Sequence, residues 1–228
     1  MFLKVCTLRN NNPSLTPEIK EQILLYKSLM NKGQQDSSKM EPRLMNITWS
    51  WLLGFTEGDG SFSISGTTPR FFIDSTKAEV QVLDSIRDFL GVGNVNIRDN
   101  HKTRVNQKAT VVFSINSIDF MYNFLIPELD QSNFYSKKYL DYIDWKIIVK
   151  LNYFGYHLLP EGLELINALK SRMSNKRLSS YSNSQSIINV SEQDIARVLE
   201  LPAPYEIRDK IRYKTGTNTK VYTKINKQ

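Results

Sequence analysis

Two carboxylates in a glycine-rich turn, Glu57 and Asp59, have the residue types and spacing best suited to chemistry in this chain. They close the apolar helical part of a segment, Ile47 to Ser65, that continues as alternating serines and apolar residues. A carboxylate in the last turn of a helix lies at the negative end of the helix dipole, and a bound cation relieves that conflict. Carboxylate and carbonyl oxygens are the ligands that Mg²⁺ prefers. The segment therefore predicts a divalent-metal site at a helix tip, against the plainer alternative of a solvated acidic turn.

The helix before this turn must position the carboxylates, and its residues predict a contact surface. Trp51 and Phe55 lie on one apolar face, and Gly54 and Gly58, four residues apart, form a stripe without side chains. A second helix can approach such a stripe until the two backbones nearly touch. We therefore expect a helix–helix interface made of Trp51, Gly54, Phe55 and Gly58, at which two Asp59 carboxylates converge.

The full string from Leu52 to Phe62, LLGFTEGDGSF, resembles the signature of the LAGLIDADG homing endonucleases and the related intron maturases. The resemblance extends over residues 47–177. In that family, signature helices from two subunits or two half-domains pack together, and the last acidic residue of each binds divalent metal above the scissile phosphates. The resemblance implies that Asp59 is the catalytic metal ligand, that the Gly58 carbonyl assists it, and that Glu57 supports the turn. The implied cofactor is Mg²⁺ or another divalent cation.

Two catalytic positions depart from the family pattern. Many members have a Gln near the end of the second strand and a Lys near the end of the fourth. This sequence has Asp74 or Ser75 at the first position and Asn116 or Ser117 at the second. We take Ser75 and Asn116 as the candidate catalytic neighbours of the metal site. Because of this departure, an RNA maturase that assists group I intron splicing without cutting DNA, or an inactive remnant, stays as an alternative to an endonuclease.

The residues after the motif alternate between strand and helix periods. The predicted elements are strands 61–66 and 70–75, a helix at 77–90, strands 92–98 and 110–116, and a helix from Ile118 that ends before Pro127. This order is an αββαββα unit. The expected fold class is therefore α+β, and the resemblance implies a LAGLIDADG homing-endonuclease fold with a four-stranded antiparallel DNA-binding saddle.

The charge balance suits a nucleic-acid partner, because 30 Lys and Arg residues against 23 Asp and Glu residues leave a net charge of +7. In the family, the sheet lies in the DNA major groove, where every base pair can be distinguished. We expect contacts from polar residues on the exposed strand face and from a cationic loop at 98–108. The candidates are Ser61, Ser63, Ser65, Arg70, Asn94, Asn96, Arg98, Lys102, Arg104 and Lys108. For any single one of them, a plain solvent-facing role is as good an explanation.

An internal repeat at a spacing of 143 residues divides the chain. Residues 15–30 align without gaps on residues 158–173, with eight of sixteen positions identical. In two-motif family members this helix closes each half-domain, so the chain resembles the C-terminal half of such a protein. Coincidence between two amphipathic helices is the alternative. If the first half is missing, the glycine stripe has no internal partner, which predicts a homodimer or pairing with a separate first half-domain.

Three regions follow from these patterns. We expect residues 1–46 to be an N-terminal helix and linker left from a first half-domain, residues 47–177 to be the LAGLIDADG domain, and residues 178–228 to be a basic C-terminal extension. Within the extension, a Ser-rich linker precedes a short helix at 191–200. An extended tail then carries basic residues interleaved with tyrosines, a composition that suits nucleic acid.

The function predicted from the residues and the resemblance is an intron-encoded homing endonuclease that makes metal-dependent double-strand cuts at a long DNA recognition site. Its partner is double-stranded DNA, with intron RNA as the alternative. Cys6 is the only cysteine, so no disulfide framework is expected, and no apolar run approaches the ~20 residues of a membrane span. Asn occurs 19 times and Ala 5 times, which fits AT-rich coding and predicts a mitochondrion or another organelle.

Overall fold

The computed structural model describes residues 16–31, 46–98, 109–173 and 189–221. The chain divides into two compact units, residues 1–45 and residues 46–228. The first unit contains the helix α1, Pro17–Asn31. No helix in the described ranges is both long and apolar enough to cross a membrane.

The second unit contains the remaining helices and strands. Its helices are α2 Trp49–Asp59, α3 Val80–Leu90, α4 from Ile118 to Asp130, α5 Lys138–Tyr153, α6 Pro160–Arg172 and α7 Glu192–Leu199. Its strands are β1 Gly60–Ser65, β2 Thr68–Thr76, β3 Asn94–Arg98, β4 Thr110–Ile115, β5 Tyr205–Arg208 and β6 Ile211–Lys214. Single 3₁₀ turns precede α3 and α6. The order α2-β1-β2-α3-β3-β4-α4 is the αββαββα unit predicted from the sequence, which confirms the fold class.

Strands β1 to β4 form one antiparallel sheet in the order β1-β2-β4-β3. In its register, Gly60 pairs with Ile73, Ile73 pairs with Phe113, and Phe113 pairs with Val95. Because side chains alternate along a strand, one face carries the buried residues and the other carries polar ones. The observed burial follows this alternation in β2, where Phe71 and Ile73 are buried.

The inner face of the sheet packs against helices, chiefly α3 and α5. Trp145 of α5 is fully buried, its ring lies 5.1 Å from that of Phe62 in β1, and its indole N–H donates to the Arg70 carbonyl at 3.2 Å. An indole buried with its donor satisfied stabilises through both its area and its hydrogen bond. These contacts fix β1, and therefore the end of α2 that precedes it, against the core.

One predicted boundary was wrong, because α4 does not end before Pro127. It continues to Asp130 in three consecutive parts, Ile118–Phe120, a π-helical turn at Met121–Leu125, and Ile126–Asp130. Proline has no N–H to donate to a helix. The π turn, in which the Ile126 N–H bonds to the Met121 carbonyl, shifts the hydrogen-bond pattern just before the proline, which then occupies the first turn of the last part.

The two copies of the sequence repeat are both helical. α1 begins at Pro17 and α6 begins at Pro160, which are equivalent positions at the spacing of 143. Proline is favoured in the first helical turn, where its missing N–H has no partner in any case. In α6, the residues Leu165 and Ile166 are buried against the domain.

The end of the described chain differs from the predicted extended tail. Residues 205–214 form a β-hairpin of β5 and β6 that packs on other residues of the second unit. The predicted Ser-rich linker at 178–186 lies outside the described residues. Helix α7 begins with a capping box, in which Ser191 and Asp194 bond to each other's backbone N–H groups, so the short helix predicted there is confirmed.

A buried ion pair joins α5 to α6 and provides a test of the packing. The Asp144 side chain is 2% exposed and accepts from Arg172 at 2.6 and 2.9 Å. We expect Arg172→Met to lower the free energy of unfolding by about 3–5 kcal/mol, because a buried carboxylate would lose its guanidinium. Urea denaturation measures this loss. The control is Arg197→Met, since Arg197 is 77% exposed and 3.8 Å from Asp194, and its expected cost is about 0–1 kcal/mol. Equal losses in the two variants would contradict the prediction.

Candidate metal site and nucleic-acid surface

The motif helix α2 has one buried side and one open side. Its N-terminus is capped by Thr48, whose side chain accepts from the Trp51 N–H at 3.2 Å. Leu52, Leu53 and Thr56 are buried against the domain. Gly54 and Gly58 lie on the opposite side, as the 100° step of a helix requires.

The glycine stripe is open in the described structure. A Cβ atom added at Gly54 or Gly58 meets no heavy atom within 4 Å. Beside the stripe, the rings of Trp51 and Phe55 stack with centroids 5.0 Å apart, and both residues are only partly buried. The four residues predicted for a helix–helix interface therefore share one surface of the chain. That they bind a second helix stays a prediction.

The helix ends at Asp59, and the strand begins at the next residue. The Gly60 N–H bonds to the Thr56 carbonyl, and a Cβ at Gly60 would lie 2.7 to 2.8 Å from Thr56 atoms, so only glycine fits this junction. Asp59 is exposed, and its carboxylate makes no hydrogen bond or ion pair with any described residue. The tight junction at Gly60 thus places the Asp59 carboxylate at the surface, where it is accessible to a ligand.

Glu57 has a different environment from Asp59. Its carboxylate accepts from the backbone N–H groups of Tyr135 and Ser136 at 2.7 and 2.6 Å. Charged hydrogen bonds of this kind are strong and directional. Glu57 therefore holds the segment before α5 against the motif helix, which leaves Asp59 as the carboxylate available to a ligand.

Lys138, the first residue of α5, reaches the C-terminal end of the motif helix. This contact was not predicted from the sequence. Its ammonium donates to the carbonyls of Thr56 and Gly58 at 2.9 and 3.3 Å, and to the Gly60 carbonyl at 2.5 Å. A cation at the C-terminal end of a helix offsets the dipole. Burial lowers the pKa of this ammonium, while the carboxylates of Asp59 and other neighbours act in the opposite direction. The dipole conflict that predicted a metal is therefore relieved in part by a lysine.

A sequence signal for Lys138 existed. Lys137 and Lys138 stand together at the start of α5, where the positive end of the helix dipole disfavours cations. A lysine at this unfavourable end of a helix indicates that its ammonium binds a group outside that helix. The partner itself lay about 80 residues earlier in the chain, beyond the reach of local patterns.

The groups at the tip fit a metal site only in part. Asp59 offers a free carboxylate, and the Gly58 carbonyl keeps a second lone pair beside its bond to Lys138. No cluster of three or more His, Cys, Asp or Glu residues exists in the described ranges. Since Mg²⁺ takes about six oxygen ligands, these two groups alone do not complete such a site, and the metal site stays a prediction.

The predicted strand residues share the polar face of the sheet. The register pairs Ser63 with Arg70 and Asn96 with Val112, whose partner in β2 is Asp74. By the same alternation, the face opposite the core carries Ser61, Ser63, Ser65, Arg70, Asn94, Asn96 and Arg98. Lys102, Arg104 and Lys108 lie outside the described residues. The role of all ten in nucleic-acid binding stays a prediction.

The two predicted catalytic neighbours lie in different places. Ser75 is on the same side of β2 as the buried Phe71 and Ile73, and its hydroxyl donates to Glu79. Asn116 is on the polar face, where its side-chain oxygen accepts from Arg70 at 3.0 Å. The two side chains therefore lie on opposite faces of the sheet, and their role as catalytic neighbours of Asp59 stays a prediction. Asp74 faces the polar side, 4.0 Å from Arg98.

The open glycine stripe of α2, the exposed Asp59 at its end and the four-stranded antiparallel sheet agree with the fold that the resemblance implied. Residues 52–149 match the family described as LAGLIDADG endonuclease. This stretch of the chain is therefore similar to that family, as the signature motif predicted.

Three relatives place the chain within a wider group. It is 25% identical over 195 residues to a probable intron-encoded endonuclease 3 of Neurospora crassa, covering 75% of this chain and 35% of that protein. It is 25% identical over 179 residues to the uncharacterized mitochondrial protein RF1 of Saccharomyces cerevisiae, covering 69% and 36%. Among solved structures, I-SmaMI bound to an uncleaved DNA target in the presence of calcium ions is 27% identical, with a TM-score of 0.50, covering 75% and 64%. The chain thus spans about a third of the length of the Neurospora and Saccharomyces proteins.

Lys138 can be tested through stability. We expect Lys138→Met to lower the free energy of unfolding by about 1–3 kcal/mol, because the last carbonyls of α2 lose a charged donor. Chemical denaturation measures the change. The matched control is Lys137→Met, since Lys137 is the exposed neighbour and its side chain makes no described hydrogen bond. Lys138 does not hold the helix tip if both variants are as stable as the parent.

Proposed function

We propose that this chain is one half of a homing endonuclease that makes metal-dependent double-strand cuts at a long DNA recognition site. The proposal rests on one surface of α2. It consists of the open stripe of Gly54 and Gly58 and the exposed Asp59 at the end of that stripe. A helix face without side chains suits close packing of a second helix, and a carboxylate at its tip suits a shared metal. The names of the Neurospora relative and of the DNA-bound I-SmaMI support the same activity.

In this proposal, Asp59 and the Gly58 carbonyl hold Mg²⁺ or another divalent cation together with the same groups of a second copy. Such an ion lowers the pKa of its bound water and stabilises charge on phosphate oxygens. Lys138 holds the Gly58 carbonyl in place, and Glu57 keeps the neighbouring segment packed on the helix. The polar face of the sheet binds the duplex in its major groove, and Arg70 is oriented there by Asn116.

A homodimer is the arrangement we favour, and pairing with a separate first half-domain is the second. Two-fold symmetry in the protein would favour a nearly palindromic target. Residues 1–46 then represent the end of a first half-domain, and residues 178–228 form a C-terminal extension. The mitochondrial name of the yeast relative supports a mitochondrial location.

One assay separates this function from its alternatives. The protein is mixed with Mg²⁺ and DNA that joins the sequences flanking its host intron, and separately with the intron RNA. We expect double-strand cleavage of the joined DNA and no change in the rate of splicing. Faster splicing without cleavage would instead indicate a maturase. An inert protein that still folds would indicate a remnant.

A further inference from the structure

The hairpin of β5 and β6 is held firmly against the helices of its own unit by hydrogen bonds and an ion pair. Arg212, only 4% exposed, donates to both carboxylate oxygens of Asp119 at 2.7 and 2.9 Å. The Tyr205 N–H donates to the Phe154 carbonyl at 3.0 Å, and a Cβ at Gly155 would lie 2.8 Å from the Tyr205 ring. The hairpin is therefore a fixed part of the surface, so any charge it carries is already oriented.

The hairpin and the chain after it carry an excess of cations. Residues 205–221 contain five Lys or Arg residues and two acids. Arg212 pairs with Asp119, and Arg208 lies 3.4 Å from Glu206. The remaining three lysines are exposed and make no ion pair with a described residue. They are Lys210, Lys214 and Lys220.

The lysine at the tip occupies a backbone position that does not suit it. Asp209 and Lys210 form the turn with φ values of 50° and 62°. Tight hairpin turns with two positive φ values favour glycine at the second position. A lysine there costs stability, and strained residues are retained where the side chain serves a function.

The anchor of the hairpin lies close to the polar face of the sheet. Asp119 follows Asn116 by three residues, so their Cα atoms are at most about 11 Å apart. Asn116 bonds to Arg70, which pairs with Ser63. Ser63 is three residues along β1 from Gly60, a separation of about 10 Å. The anchor residue Asp119 thus lies within about 11 Å of Asn116, which is on the part of the face away from Asp59.

We propose that the hairpin contacts phosphates of the DNA that flanks the base pairs covered by the sheet, through Lys210, Lys214 and Lys220. This inference rests on the proposed function. Three cations on a rigid support bind phosphates without first losing the conformational freedom of a tail. Because the contacts lie away from Asp59, they add to affinity and leave the cleavage step unchanged.

The test measures binding of the full chain to a labelled random-sequence duplex at several NaCl concentrations, with chelator present to prevent cutting. Each phosphate contact adds about 0.9 to the slope of log affinity against log salt. For the triple variant Lys210→Gly, Lys214→Gln and Lys220→Gln, we expect the slope to fall in magnitude by about 2–3. The control removes three exposed cations elsewhere, with Lys20→Gln, Lys150→Gln and Arg197→Gln, and should keep the slope.

A single change separates a lost contact from a damaged fold. We expect Lys210→Gly to reduce the slope by about 1 and to keep or raise the melting temperature, since glycine relieves the positive φ. An unchanged slope while the parent protein binds DNA would overturn the role of the hairpin alone. A slope change seen only with duplex RNA would overturn the assignment to DNA. If the parent protein binds no duplex DNA at any salt concentration, the proposed function fails as well.

Discussion

Asp59→Asn is expected to lower the rate of DNA cleavage by about 10³-fold or more while the protein stays folded and still binds DNA. The amide has nearly the same shape as the carboxylate but lacks the charge that holds a divalent cation. Asp59 is exposed and makes no hydrogen bond or ion pair with a described side chain, so the amide should leave the packing intact. Single-turnover cleavage with saturating protein measures the rate, and thermal denaturation measures the fold.

The control for this variant is Glu161→Gln, which removes the same charge from an exposed position in α6. It should cut DNA at the parent rate. DNA affinity is measured with calcium in place of magnesium, and it should be similar for all three proteins. Full cleavage by Asp59→Asn would show that this carboxylate is not the metal ligand, whatever the family resemblance implies.

The sequence predicted the parts of the site that depend on local patterns. The end of α2, the open glycine stripe and the alternation of Ser61, Ser63 and Ser65 all follow from spacing within a few residues. The four-stranded sheet followed from the order of elements, since the signature motif supplied the fold. Local spacing is reliable here because the helix and strand periods place neighbouring side chains directly.

The parts that sequence reasoning missed depend on contacts between distant residues. Lys138 meets the motif helix about 80 residues away in the chain, and Arg212 meets Asp119 across 93 residues. Ser75 was chosen by position along its strand, yet its side chain is on the core side of β2. A shift of one residue reverses the face of a strand. That is why Asp74, the neighbour, lies on the polar side.

Lys138 also changes the reason for expecting a metal. The sequence predicted a bound cation because carboxylates at the end of α2 conflict with the negative end of the helix dipole, and the Lys138 ammonium already lies at that end. The Asp59 carboxylate attracts that ammonium but makes no hydrogen bond or ion pair with a described residue. The metal prediction therefore depends on that carboxylate and on a second copy of it, so it stands or falls with the pairing of two motif helices.

Pairing of two chains should fail when the glycine stripe is filled. We expect the double variant Gly54→Leu and Gly58→Leu to raise the dissociation constant of the homodimer by about 100-fold or more, since an overpacked contact costs about 1–3 kcal/mol and two stripes meet. The monomer has room for both side chains, because a Cβ at either glycine meets nothing within 4 Å. Leucine also forms helices better than glycine by about 1 kcal/mol. The melting temperature of the monomer should therefore be kept or raised.

Equilibrium sedimentation at micromolar concentration measures the association, and cleavage is measured on the same samples. The matched control places leucine at two exposed positions elsewhere, with Gln81→Leu and Lys150→Leu, and should remain a dimer that cuts DNA. Since each chain supplies one Asp59, separated chains cannot complete the metal site, and cleavage should fall together with association. A parent protein that is monomeric yet active would exclude the homodimer and would mean that one chain completes the site by itself. A parent that is monomeric and inactive until a first half-domain is added would establish the second arrangement instead.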